Sequence, residues 1–144
     1  MPSHADRVQI HATAVAHQGQ AVLLRGPSGA GKSDLALRLI AHDGWTLIAD
    51  DQCDLTHRDG AVFVTCPNTL IGKIEARGIG ILDTSNATEA RVTLICDLTT
   101  APIERLPEPE FEIILGQAIR RITLNPFEAS TTAKLTVLMQ NLML

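Results

Sequence analysis

The sequence predicts an α/β domain: a P-loop-containing fold with a mixed β-sheet and flanking helices. Three observations predict it. The run Gly26-Pro27-Ser28-Gly29-Ala30-Gly31-Lys32-Ser33 lies between the short apolar run Ala21–Leu24 and a helical period that starts at Lys32. Strand-like runs outnumber helical ones over the rest of the chain. The 144 residues, 45% apolar and 19% charged, fit one ordinary domain spanning 1–144 with a core of its own.

The elements follow in order. Val8 to Ala16 alternates loosely and reads as a strand, and Gly19-Gln20 as a turn. Ala21–Leu24 is short and wholly apolar, as a buried strand is. After the glycine-rich run, Leu35, Ala36, Leu39 and Ile40 fall on one helical face, and Asp43-Gly44 supplies a glycine stop. Trp45–Ala49 is a second buried-strand pattern ending in Asp50-Asp51. The runs 53–57 and 61–64 flank Arg58-Asp59-Gly60, and Asp-Gly between two such runs predicts a hairpin. Residues 67–71 read as a helical turn or loop, and 72–83 as a glycine-punctuated loop. Arg91–Leu98 is a strong strand pattern, and 102–109 is proline-rich loop. Two further strands, 111–115 and 119–124, surround Gly116. After Pro126, Ser130 or Thr131 is placed to cap a last helix carrying Leu135, Leu138, Met139 and Leu142 on one stripe.

Composition narrows the function classes. A formal charge of −4 with no basic block argues against a nucleic-acid partner. Aromatics at 3%, with no tyrosine, argue against a stacking platform for single strands. No apolar run reaches membrane-spanning length. The first seven residues lack the apolar core of a signal peptide. Three widely spaced cysteines, Cys53, Cys66 and Cys96, fit neither a disulfide framework nor a zinc site, so the reducing cytoplasm is the expected compartment. The five histidines show no metal-ligand spacing.

The glycine-rich run carries the chemistry. A triphosphate concentrates negative charge, and a loop that wraps it must present backbone N–H groups without side chains in the way. Gly26, Gly29 and Gly31 meet that need. Lys32 is placed to reach the β/γ oxygens, Ser33 to ligate Mg²⁺, and the helix beginning at Lys32 to aim its positive end at phosphate. Asp50-Asp51, ending the next strand, stands where such folds place a metal or nucleophile contact. Both acids face the phosphates only if the chain turns there, since neighbours in a strand point to opposite sides; the bland alternative is a solvated turn. Glu75 before Arg77-Gly78 offers a further carboxylate for metal, although acid-x-Arg-Gly is more often a surface turn. On pattern alone His11 and Arg105 carry no signal.

Taken together, His11, the run Gly26–Ser33, Leu47-Ile48-Ala49-Asp50-Asp51 and Ile74-Glu75-Ala76-Arg77-Gly78-Ile79-Gly80-Ile81 resemble the catalytic domain of HPr kinase/phosphorylase, the bacterial family that phosphorylates a serine of the phosphocarrier protein HPr. The resemblance runs from about His11 into the last helix, and the combination is far more specific than the glycine-rich run alone. It implies ATP and Mg²⁺ as cofactors, HPr as partner, and a homo-hexamer. It implies a catalytic histidine at His11, the phosphate lysine at Lys32 and the metal serine at Ser33. It matches Asp51, with Asp50 as near alternative and candidate metal contact, to the aspartate that takes the serine proton. It matches Glu75 to the acidic metal ligand and Arg105, within Glu104-Arg105-Leu106, to the catalytic arginine. Two departures stand out. The chain resembles a short form without the N-terminal domain of longer members. The stretch Leu124-Asn125-Pro126-Phe127-Glu128-Ala129 lacks the arginine and glycine of the family's late loop. The phosphorolytic direction, from phosphoserine and phosphate to pyrophosphate, is therefore less expected than the kinase direction. The rival readings are a small-molecule kinase, which needs a lid this length scarcely provides, and a nucleotide-sensing module, which has no use for a general base.

Overall fold

A computed structural model describes residues 6–143. The elements are β1 (Arg7–His11), β2 (Thr13–His17), β3 (Gln20–Arg25), α1 (Lys32–Asp43), β4 (Thr46–Ala49), β5 (Gln52–Arg58), β6 (Ala61–Thr65), a 3-10 turn (Asn68–Leu70), β7 (Lys73–Ala76), β8 (Gly80–Asp83), β9 (Glu89–Leu98), β10 (Glu110–Ile114), β11 (Gln117–Leu124) and α2 (Thr131–Leu142). Among the described residues nine strands form one sheet in the order β1-β5-β6-β9-β3-β2-β4, with β11 also on β9 and β10 on β11. The sheet is mixed, as expected: β9 runs parallel to β3 and β11 and antiparallel to β6.

Both faces of the sheet are covered. On one, Val22, Leu24, Leu94 and Cys96 meet Leu35 and Leu39 of α1 and Leu135 and Met139 of α2. Each fully buried leucine here is worth about 2 kcal/mol in area removed from water. The Trp45 indole adds an N–H bond of 3.1 Å to the Thr136 hydroxyl. On the other face the sheet curls on itself, so that Leu23, Ile48, Leu55, Val64 and Ile95 share a second core with Ile114 and Ile119. Small residues line it here, Ala12 just before β2 and Ala14 and Ala16 within β2, which lets the strands close in.

Three local expectations are corrected. The single strand over 8–16 is two strands, broken at Ala12: β1 pairs with β5, whereas β2 pairs with β3 and β4. Loose alternation cannot reveal where a strand changes partners. The segment 72–83 is not loop throughout, because β7 and β8 form a two-stranded hairpin. Ser130 is the N-cap of α2 but makes no side-chain cap bond. The Thr131 hydroxyl instead donates to the Asn125 carbonyl at 2.6 Å. The hairpin at Asp59-Gly60 forms as expected, both residues having positive φ.

Two side-chain clusters mark the end of the sheet where β3 stops. One is ionic. Arg25 closes β3 and forks onto Asp97 of β9, with Nε to Oδ1 at 2.7 Å and Nη2 to Oδ2 at 3.1 Å. It also forks onto Glu112 of β10, with Nη1 to Oε2 at 2.7 Å and Nη2 to Oε1 at 2.8 Å. The other cluster surrounds Asp50.

Candidate functional site

The loop between β3 and α1 takes its shape from glycine where space is shortest. A Cβ at Gly26 would stand 2.7 Å from that of Ala30. Gly31 has φ +97 and borders Pro126 and the Phe127 ring, so a Cβ there would lie 3.1 Å from the ring. Lys32 is buried, and its ammonium donates to the carbonyls of Gly26 at 2.6 Å and Pro27 at 3.1 Å. The cation is thereby held inside the curve of the loop, where phosphate oxygens would meet it.

Asp50 and Asp51 follow β4, and both line the cleft beside this loop. The turn that this requires is present: Asp51 has φ +73, which aspartate tolerates better than most side chains. The two acids have different company. Asp50 Oδ1 accepts from the Ser33 hydroxyl at 2.7 Å and the Thr13 hydroxyl at 2.9 Å, and Oδ2 accepts from the Glu75 backbone N–H at 3.1 Å. Asp51 instead bonds His11 Nε2 through Oδ1, and both side chains are exposed, 62% and 43%. The break at Ala12 makes this meeting possible. Ala12 N–H donates to the Asp51 carbonyl at 3.2 Å, which sets the end of β1 against the turn after β4.

Thr13 escaped the sequence reading. It is fully buried, donates to Asp50, and accepts the Asp51 N–H at 3.3 Å, so one hydroxyl fixes both acids. The available signal was a single hydroxyl in the otherwise apolar run Ala12–Ala16, just past His11.

The cleft measures about 620 Å³. Its wall carries Asp34, Asp50, Asp51 and Glu75 against Lys32 and Arg77. An excess of hard carboxylate oxygens beside a serine hydroxyl suits a magnesium ion. The hydroxyl and amide groups that donate to Asp50 are neutral and leave its charge for a cation to balance. Ser33, Asp50 and Glu75 thus fit a metal site by donor chemistry. Arg105 is placed differently. It is exposed in the loop 99–109 between β9 and β10 and does not line the cleft. That loop nevertheless leaves the sheet from the same end as the glycine-rich loop, since Arg25 and Asp97 are paired partners on β3 and β9. Among the described residues all three cysteines are free. Burial, then the charge of Asp97, pushes the Cys96 thiol up to about 12.

Residues 3–135 match the model of the HPr Serine kinase C-terminal domain. The HPr kinase/phosphorylase of Leptothrix cholodnii is 39% identical over 134 residues, which cover 83% of this chain and 41% of that protein. The HPr kinase/phosphorylase of Lactobacillus delbrueckii subsp. bulgaricus is 38% identical over 133 residues, covering 83% and 42%. The solved structure of the Hpr(Ser) kinase/phosphatase from Coxiella burnetii superposes with a TM-score of 0.81 at 27% identity, over 93% of this chain and 89% of the other. The chain spans about two-fifths of the length of the curated relatives it matches.

Proposed function

The chain belongs to the HPr serine kinase C-terminal domain family, and on that premise we propose that it transfers the γ-phosphoryl group of ATP to a serine of the phosphocarrier protein HPr. The observation that carries the reading is the convergence of Lys32, Ser33, Asp50, Asp51 and Glu75 on one cleft.

Phosphoryl transfer asks mainly for positioning and charge neutralisation. The loop N–H groups and the Lys32 ammonium hold the β- and γ-phosphates. A magnesium ion bound by Ser33, Asp50 and Glu75 would neutralise phosphate charge. Asp51 is the general base in this reading. It is the more exposed acid, whereas Asp50 is engaged by two hydroxyls and an amide. His11 orients Asp51 and stabilises its negative charge until the serine proton arrives. Arg105 is assigned to the transferring group, which requires the loop 99–109 to swing over the cleft when substrates bind. Thr13 is a positioning residue that keeps the two acids apart in role. The phosphorolytic direction would use the same loop for inorganic phosphate, and assembly as a hexamer in the cytoplasm belongs to the same reading.

The test mixes the purified chain with HPr, Mg²⁺ and γ-labelled ATP. Label is expected on an HPr serine, absent from the Ser→Ala carrier, and lost with Lys32→Ala together with nucleotide affinity. Tight ATP binding without label on HPr would overturn the assignment and favour a sensor.

A further inference from the structure

We infer that Phe127 is the seat of the nucleobase, a specificity-determining contact for a nucleoside triphosphate whose phosphates lie in the loop Gly26–Ser33. The inference rests on the nucleotide-binding part of the reading above.

Backbone N–H groups and a lysine recognise phosphate but cannot tell a nucleotide from inorganic polyphosphate. Base recognition needs a flat apolar surface next to the phosphate site, fixed before the ligand arrives. Phe127 meets each condition. Its ring borders Gly31, the last glycine before Lys32, so it adjoins the phosphate loop directly. It lines the same cleft, with Leu37 of α1, Ala76 at the end of β7 and Ile79 of the β7–β8 turn as the other apolar side chains, and remains 59% exposed. A single exposed phenylalanine is ordinary, but this one is held. The Phe127 N–H donates to the Asn125 side chain at 2.9 Å, and the Thr131 hydroxyl binds the Asn125 carbonyl. Arg38 of α1 donates to the carbonyl of the buried Pro126. A segment whose backbone is pinned at 125, 126 and 127 presents its ring from a fixed position, which lowers the ordering cost on binding.

The other aromatics are placed elsewhere. Trp45 is buried and stacked on His17 at 5.2 Å, Phe63 lies beneath the Arg58 guanidinium at 4.0 Å, and Phe111 is on β10. Among the described residues lining the cleft, only Phe127 offers a base an aromatic face.

The experiment is calorimetric titration of the full chain with Mg-ATP and, separately, with Mg-tripolyphosphate, which has the phosphates without the base. Phe127→Ala is expected to weaken ATP about ten-fold while tripolyphosphate affinity stays unchanged. Phe127→Leu keeps apolar bulk against Gly31 but loses the flat face, and is expected to weaken ATP selectively as well; Phe127→Trp is expected to retain wild-type affinity. Equal weakening of both ligands would mean that the ring only buttresses Gly31, and unchanged ATP affinity in Phe127→Ala would mean that the base lies elsewhere; either overturns the inference while leaving the phosphate loop intact. If the wild-type chain bound neither ligand, the phosphate-loop reading would fall, and this inference with it.

Discussion

Two groups of carboxylates stand at the same end of the sheet, and the protein treats them in opposite ways. Asp97 and Glu112 are gripped by one guanidinium through four bonds of 2.7 to 3.1 Å. That guanidinium holds the Glu112 carboxyl below the usual range. Asp50 receives hydroxyl and amide hydrogens, and Asp51 leans on an exposed histidine. A carboxylate satisfied by a forked arginine is committed to the fold. A carboxylate fixed by neutral donors keeps its charge available, which is what metal binding and proton transfer require. The contrast teaches that acid content alone does not mark a site. The charge of the donors around each acid does.

The contrast can be broken from either side. The largest effect is expected at the available acids. Asp51→Asn should lower the rate of transfer to HPr by about 10²–10⁴-fold, the usual worth of a positioned base, with ATP affinity and thermal midpoint unmoved. Near-normal transfer in single-turnover kinetics would take the base away from Asp51. At the committed acids the expectation reverses. Arg25→Gln removes the guanidinium that Asp97 and Glu112 share, leaving only Arg121 at 3.6 Å from Glu112, and should cost about 2 kcal/mol in urea unfolding. This lies below the range for fully buried pairs because the Arg25 side chain is 25% exposed. A loss too small to measure would mean that the network is surface decoration.

The smallest effect sharpens the same contrast through pH. Because the folded Glu112 value lies below its ordinary 4.5, the pairing stabilises the protein above that value. The contribution is lost as pH falls through the lower, folded value. Wild-type stability should therefore decline more steeply than that of Arg25→Gln below about pH 4.5, as read from urea midpoints across the acid range. Parallel declines would assign the acid sensitivity to other groups.

How much of this was legible in the sequence follows from how local each feature is. The loop Gly26–Ser33, the turn at Asp59-Gly60 and the glycine stop at Gly44 are decided within a few residues, and the structure has all three. The need for a turn at Asp50-Asp51 was visible because alternation forbids both acids from facing one way in a strand. The break at Ala12 was not legible, since it depends on β1 pairing with β5 and β2 with β4, both remote along the chain. Thr13 stayed hidden for the same reason: its importance lies in two acids that are remote along the chain. His11 and Arg105 entered only through family resemblance. The structure brings His11 to Asp51 and leaves Arg105 in its exposed loop.

The forked pairing of β9 has a consequence for how the chain reaches this state. Over Glu89–Arg91 its outer edge bonds to β6, and from Leu94 onward that edge passes to β11, while β3 holds the opposite edge from Arg91 to Asp97. Its partners thus come from early, middle and late in the chain. During synthesis β9 would emerge from the ribosome with β3 and β6 ready but with half of one edge bare until Gln117–Leu124 followed. The sheet cannot close in order of synthesis, and long-range parallel pairing of this kind forms slowly. Once closed, the amide protons of Leu94–Asp97 should be among the last to exchange with solvent, because freeing that segment means opening the sheet from both sides.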